Sequence, residues 1–371
     1  MKRLLLTIAA GFLRLVYITI RRRPVQRKVT IISRQSDSPS LDIRLLQQEL
    51  AKHHPDVECM VLCKTIGPGL GGKVSYLFHM ITQMKHIASS KVVVLDGYCI
   101  TACVLNPKPE TKIIQMWHAV AAIKRFGYQT IGLEGGHSST VAEVLCMHRN
   151  YDHVLCCSEA TGQIFCEAFR TTKDHLLYMG LPRLDRLQAS GKEKLREELG
   201  IPRDKEILLY VPTFRRGQKI PLQDLITAVD LSRFTLVIRL HPLDEPPEEL
   251  RGMPGVIIDT EHSTQRWLRA CDRIITDYSA LAAEASITGK PLYYYIYDIE
   301  SYERSVGLNV DPRIEMPHAA AQTAEELRKL LDQDYDFDEL KRFREKYITV
   351  DTHGCTARLG EFIYGIVEEV H

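Results

Sequence analysis

The sequence predicts an α/β protein built as two successive α/β domains with a cleft between them. Three observations predict it. Short apolar runs alternate with helical periods along most of the 371 residues. The alternation restarts after a break near residues 180–187. The chain is also long enough to bury two separate cores. Hydrophobic content of 45% and charged content of 26% are those of an ordinary globular enzyme. A formal net charge of +1 provides no global field for nucleic acid, and no nucleic-acid partner is expected.

The first element is an apolar stretch at 4–20, flanked by Lys2, Arg3, Arg21, Arg22 and Arg23 and carrying Arg14 inside it. As a helix it would measure roughly 25 Å, short of the ~30 Å hydrocarbon core. No small-residue cleavage site precedes the RRRP tract, which argues against a removed signal peptide. The segment fits best a helix lying in the membrane interface with its basic flanks on anionic lipid, the alternatives being a short spanning anchor and a plain structural helix. The expected location is the cytoplasmic face of the cell membrane, peripheral through residues 1–24.

Residues 25–185 form the expected first domain. Strands are predicted at 29–33, 57–62, 91–96, 112–117 and 153–158, with helices at 41–53 and 74–89 between them. Residues 186–371 form the second. Its strands are predicted at 206–211, 235–240, 255–259, 272–276 and 291–295, with helices near 222–229, 263–270 and 279–288. Continuous apolar strands separated by helices imply parallel sheets covered on both faces. Ligands in such sheets bind beyond the carboxyl ends of the strands, so residues just after strands are the ones to inspect.

The ten cysteines do not suggest a disulfide framework. Cys59, Cys63, Cys99, Cys103, Cys156 and Cys157 lie in or beside apolar runs, where cysteine packs as a small core residue. The Cys59/Cys63 and Cys99/Cys103 spacings lack the matching second pair of a zinc site, and no metal is expected.

Four clusters follow strands. Trp117 to Gly127 places His118 at a strand end with a helix predicted right after it. That histidine is either a proton acceptor for a hydroxyl or a structural hydrogen-bonder. Lys124 either binds phosphate or solvates a helix face. Arg239-Leu240-His241-Pro242 directs the chain into a loop. His241 either meets charge building on phosphate oxygens or packs beside the turn. Thr276-Asp277-Tyr278-Ser279-Ala280 leads into a helix whose start is a seat for a diphosphate, with Asp277 and Ser279 also ordinary N-cap residues. In the run from Tyr210 to Arg216, Thr213, Arg215 and Arg216 are candidates for phosphate contact. Gly180 to Asp185 reads as a hinge in which Arg183 and Asp185 pair with one another, or in which Arg183 meets phosphate.

Taken together, WHA…K…G at 117–127, GLPRLD at 180–185, YVPTFR at 210–215, RLHP at 239–242 and TDYSA at 276–280 resemble, in order, the CDP-glycerol glycerophosphotransferase family. The tract 295–317, with Asp298, Tyr302 and Glu303, and the closing Gly354…Arg358 stretch extend the resemblance, which runs from about residue 90 to the end. The resemblance implies a GT-B-like fold of two Rossmann-like domains facing a central cleft, and metal- and cofactor-independent transfer with inversion. It implies His118 as the base on the acceptor hydroxyl and His241 as the group stabilising the donor diphosphate. Thr213, Arg215, Arg239, Asp277 and Ser279 would then hold the nucleotide diphosphate. The implied partners are CDP-glycerol, a lipid-linked glycan acceptor and the membrane surface, with a homo-oligomer possible.

Two positions depart from the family pattern. Ala119 stands where glycine is frequent, and Ala280 where a second serine is frequent. The loss of that hydroxyl points either to a different donor, such as CDP-ribitol, or to a diphosphate held by backbone groups alone. The compact length suits a primase adding a single unit better than a polymerase. A nucleotide-sugar glycosyltransferase and a non-catalytic membrane assembly protein are the remaining alternatives.

Overall fold

The computed structural model describes residues 2–133, 136, 138–187, 192–215, 220–241, 244 and 247–369. The chain divides into two compact units. The first comprises Met1–Ala119, Phe126–Asp185 and Val350–His371, and the second comprises Val120–Arg125 and Arg186–Thr349. The sequence places one boundary at 185/186. The chain also assigns 120–125 to the second unit and the C-terminal 22 residues, 350–371, to the first.

In the first unit the order is α1 (Lys2–Ile20), β1 (Gln26–Ser33), α2 (Leu41–His53), β2 (Glu58–Cys63), α3 (Gly69–Ser89) and β3 (Ser90–Leu95). There follow α4 (Ile100–Val104), β4 (Lys112–Gln115), α5 (Ser139–Val144), β5 (His153–Cys156), α6 (Glu159–Phe169) and β6 (Leu176–Tyr178). The six strands form one sheet in the order β2-β1-β3-β4-β5-β6. Every pairing in it is parallel. Val29, Ile31, Ile32 and Val92 to Leu95 are buried, as continuous apolar strands covered on both faces must be. Ser40 and Ser158 accept from Ile43 and Thr161 main-chain N–H groups, which starts α2 and α6 where the pattern predicts helices.

The second unit contains α7 (Lys192–Leu199), β7 (Glu206–Tyr210), α8 (Leu222–Ala228), β8 (Phe234–Ile238), β9 (Val256–Ile258), α9 (Thr264–Ala270) and β10 (Arg273–Thr276). It continues with α10 (Leu281–Ile287), β11 (Leu292–Tyr295), α11 (Ile299–Ser305), α12 (Pro312–Glu315), β12 (Ala320–Ala321), α13 (Ala324–Asp332) and α14 (Phe337–Tyr347). Its strand order is β12-β11-β10-β7-β8-β9, the order of a Rossmann sheet. Leu208, Tyr210, Phe234, Leu236, Ile238, Ile275 and Tyr293 form much of its core. The last helix, α15 (Cys355–Glu368), packs on α2 and β3 of the first unit.

These topologies fix where a ligand can enter each unit. Strand order reverses between β1 and β3 in the first sheet and between β7 and β10 in the second, which opens a crevice at those carboxyl ends.

Helix α1 packs against α3, α4 and α5. Ala10, Leu13 and Tyr17 are buried, whereas Leu4, Leu5, Ile8, Phe12, Leu15 and Ile18 are exposed. Arg14 faces the protein, donating from Nε to the Val104 carbonyl at 3.1 Å. A second stripe of exposed apolar residues, Leu70, Val74, Leu77 and Phe78, runs along α3.

Candidate active site

The first crevice is built on an unusual turn. β4 ends at Gln115, and Trp117 then adopts a φ of 62°. A bulky residue in that left-handed region costs on the order of 1–3 kcal/mol. Packing holds it there: the indole stacks on Phe126 at 4.9 Å and meets Phe169 edge-on at 5.1 Å. The Trp117 N–H donates to Gln115 Oε1 at 3.0 Å.

The turn delivers His118 to the reversal between β1 and β3. Its Nδ1 lies 2.8 Å from the Asp96 carbonyl oxygen, in the loop after β3. A carbonyl only accepts, so Nδ1 carries the hydrogen and the lone pair is on Nε2. Gln35 Nε2, from the loop after β1, lies 3.2 Å from the same Nδ1; as a second donor it is a neighbour of that N–H and not its hydrogen-bond partner. Gly97 leaves room for it, since a Cβ there would lie 2.8 Å from Gln35 Nε2. No helix follows His118, contrary to the sequence reading. Lys124 instead bridges to Leu308 as an isolated antiparallel pair, so it does not decorate a helix face.

The Asp96 side chain is buried in this crevice. Burial pushes its carboxyl up to about 6, with the Ser33 hydroxyl pulling it back and Asp42 pushing it further. Sequence reasoning missed Gln35 and Asp96. The rule that exposed His118 applies to both, because each lies within two residues of a strand's carboxyl end.

In the second unit the loops after β7 and β10 are tied together. Thr213 donates to Asp277 from its main-chain N–H at 2.9 Å and from its hydroxyl at 2.6 Å. Arg215 gives Nη2 to Asp277 at 2.9 Å and Nε to Asp298 at 2.8 Å. Tyr278 donates its hydroxyl to Asp298 at 3.0 Å and stacks on Tyr302 at 4.0 Å. The guanidinium lies over both rings, at 5.1 and 4.8 Å from their centroids. Burial opposes the charge on Arg215, and Asp277 and Asp298 more than offset it. Thr213, Arg215 and Asp277 therefore bind one another through the very groups expected to meet a diphosphate.

Two further expectations change in detail. α10 begins at Leu281, after Ala280 at the cap position, and Ser279 Oγ accepts the Leu281 N–H at 3.2 Å. Arg239 donates to the Asp259 carbonyl at 2.8 Å, and Asp259 also receives His262 and Trp267. Arg216 and Pro242 lie outside the described residues.

Lys124 is placed differently. Asn309 Nδ2 donates to its carbonyl at 2.9 Å, holding 120–125 on the second unit. Burial lowers the ammonium's pKa, and Asp277 partly restores it while Arg215 lowers it further. No described carboxylate pairs with it directly. His241 lies beside Phe214, with ring centroids 5.0 Å apart. Burial lowers its pKa, Asp244 raises it and Lys124 lowers it. Lys124, His241 and the Arg215 cluster thus occupy one electrostatic neighbourhood within the second unit.

Arg183 and Asp185 do not pair with one another. Arg183 grips the buried Asp42 with its main-chain N–H at 2.8 Å and its Nε at 2.7 Å. Asp185 caps α15, accepting from the Cys355 and Thr356 N–H groups at 2.7 and 2.9 Å. The hinge sequence thus anchors α2 and α15, a structural duty for both charges. None of the ten cysteines is in a disulfide. Among the described residues, His318, Asp336 and Glu339 bring metal-ligand-type atoms within 4.8 Å of one another. Asp336 is the N-cap of α14, and His318 contacts Glu339 at 3.1 Å, so hydrogen bonding already accounts for the group.

Comparison with known proteins agrees with this architecture. A family model described as CDP-glycerol:poly(glycerophosphate) glycerophosphotransferase matches residues 15–365, further toward the N-terminus than the motifs alone reach. The teichoic acid ribitol-phosphate primase of Bacillus spizizenii is 29% identical over 359 residues, 92% of each chain. The teichoic acid glycerol-phosphate primase of Bacillus subtilis is 28% identical, covering 78% of this chain and 77% of the relative. Among solved structures, the wall teichoic acid polymerase TagF superposes with a TM-score of 0.74 at 19% identity, covering 99% of this chain and 97% of that one. By the match along nearly its whole length, the chain belongs to the CDP-glycerol:poly(glycerophosphate) glycerophosphotransferase family.

Proposed function

We propose that the protein transfers glycerol phosphate from CDP-glycerol to a hydroxyl of a lipid-linked glycan acceptor, releasing CMP, as a primase in wall teichoic acid synthesis. The observation that carries this reading is the His118 tautomer: the Asp96 carbonyl takes Nδ1–H, which leaves Nε2 to accept the proton of the acceptor hydroxyl. The hydroxyl oxygen attacks the phosphorus bearing glycerol. The bond from that phosphorus to the bridging oxygen breaks, and CMP departs with the electron pair.

The donor side is assigned to the second unit. Lys124 is the cation suited to the donor's phosphates, because Arg215 is spent on Asp277 and Asp298 and Arg239 on Asp259. Thr213, Arg215 and Asp277 shape the loop rather than touch the nucleotide, with Ser279 at its edge. His241, whose basicity Lys124 lowers, meets charge developing on the departing phosphate.

The exposed stripes on α1 and α3 support attachment to the cytoplasmic face of the membrane. Arg14 points into the protein and one face of α1 is packed, which favours a helix lying on the bilayer over one crossing it.

A CDP-ribitol donor is the second reading, favoured by the relative that matches along 92% of both chains. Purified protein incubated with CDP-glycerol or CDP-ribitol and a lipid-linked disaccharide, read by product mass, decides between them. A product from a UDP-sugar with none from either CDP donor would overturn both.

A further inference from the structure

The crevice of the first unit holds a cation that the chemistry above leaves unused. Arg34 is the first residue after β1, at the point where strand order reverses. Its guanidinium lies over the Tyr98 ring, 5.4 Å from the centroid, and the residue is half-buried. The next residue, Gln35, reaches His118 at 3.2 Å. Arg34 and the His118 imidazole therefore share the rim formed by the loops after β1, β3 and β4.

Three well-buried arginines each meet a carboxylate: Arg183 meets Asp42, Arg196 meets Asp272 and Arg215 meets Asp277. Arg34 has no carboxylate partner among the described residues. Of the acidic groups nearest in sequence or in the crevice, Asp37 accepts the Thr65 N–H and hydroxyl at 2.6 and 2.7 Å, and Asp96 forms no ion pair with Arg34, its buried carboxyl pushed up by desolvation. A half-desolvated guanidinium that no carboxylate neutralises, opening on a ligand crevice, is suited to an incoming anion. Its planar fork matches the paired oxygens of a phosphate. Arg34 is also close enough to Tyr76, on α3, to favour that phenol's ionised form. Tyr76 belongs to the buried face of the helix whose other face exposes Leu70, Val74, Leu77 and Phe78.

We propose that Arg34 receives a phosphate-ester anion of the acceptor substrate, beside the hydroxyl that His118 deprotonates. This rests on the functional reading above. The anion is either the diphosphate of a lipid carrier or a phosphate ester at the acceptor's glycan end, and the two share the chemistry Arg34 recognises.

The test combines kinetics and direct binding on the full chain. Arg34→Gln should raise KM for the lipid-linked acceptor on the order of tenfold or more while leaving KM for the CDP donor unchanged. Arg34→Lys, which keeps the charge and loses the fork, should fall between the two. Calorimetric titration without donor uses geranyl diphosphate and glycerol 3-phosphate as probes. Loss of geranyl diphosphate binding in Arg34→Gln identifies a carrier diphosphate, and loss of glycerol 3-phosphate binding identifies the glycan end. An unchanged acceptor KM, or a raised donor KM instead, overturns the proposal while leaving the transferase reading intact. A wild-type protein that transfers nothing but loses probe binding on Arg34→Gln overturns that reading and keeps the anion site. Binding of neither probe by the wild type overturns the site.

Discussion

His118 Nδ1 and the main-chain oxygen of Asp96 lie 2.8 Å apart, so the imidazole's protonation pattern is set by the backbone of a neighbouring strand end. A backbone acceptor cannot be titrated away, so in the neutral ring that donates to it Nε2 is the proton-accepting atom. Replacing His118 by Ala should lower CMP release from the CDP donor in the presence of a lipid acceptor by more than about 100-fold. The melting temperature should stay near that of the wild type. Unchanged turnover would remove His118 from the chemistry.

Lys124→Gln should raise KM for the CDP donor by roughly 10- to 100-fold, the range expected for losing one charge-assisted phosphate contact. It carries a second signature. Lys124 depresses the basicity of His241, so the His241 resonance should titrate at a higher pH in the variant. A His241 titration that does not move would separate the two residues.

Arg215→Ala should cost about 3–5 kcal/mol in denaturant unfolding, because Asp277 and Asp298 would be left as buried, uncompensated carboxylates. Arg215→Met combined with Asp277→Asn and Asp298→Asn should recover much of that loss. A single variant of wild-type stability with weakened donor binding would make Arg215 a ligand contact instead of a loop tie.

Asp96 makes stability depend on pH with a definite sign. Its folded value, about 6, lies above the ordinary 3.8, so between those values the native state binds more protons than the unfolded chain. Stability should fall as pH rises from about 4 to 6, and the deficit should be complete above that. Asp96→Asn should therefore be more stable than the wild type at pH 7, by at most about 3 kcal/mol, and no more stable near pH 4. Equal stability of the two proteins at both pH values would contradict the assignment.

Membrane binding calls for a gentler change than truncation. Deleting 1–23 would also remove Ala10, Leu13 and Tyr17, which are buried against the first unit. Leu4, Ile8, Phe12 and Leu15 changed together to Ser leave those contacts in place. Sedimentation with anionic vesicles should show most of the protein shifting to the soluble fraction. Phe78→Glu on α3 should weaken binding further. Unchanged binding in the combined variant would show that these faces do not contact lipid.

The parallel sheets were legible because their inner strands are continuous apolar runs, such as Val92 to Leu95 and Ile207 to Tyr210. The edge strands Leu176–Tyr178 and Ala320–Ala321 are three and two residues long, below any detectable period. The assignment of 120–125 to the second unit left no trace in the pattern, since main-chain bonds secure it, among them Arg125 N–H to the Gly307 carbonyl at 3.0 Å. At the site, position after a strand identified His118, His241 and Arg215 correctly as residues of strand-end loops. It could not say which cations were already spent. Arg215 is neutralised by Asp298, 83 residues further on, and no local rule connects the two. The same blindness paired Arg183 with Asp185, two residues away, when its partner is Asp42, 141 residues upstream.

Parallel strands send all their carboxyl ends to one side of each sheet, which leaves the opposite side free of chemistry. The short turns there, such as Gly200 to Lys205 and Gly289 to Pro291, join helices to the starts of β7 and β11. They are therefore the natural places to splice in a fluorophore-binding tag or an affinity handle. An enzyme so decorated would keep its crevices and the exposed apolar faces of α1 and α3 unobstructed, and could be tracked in the vesicle experiment.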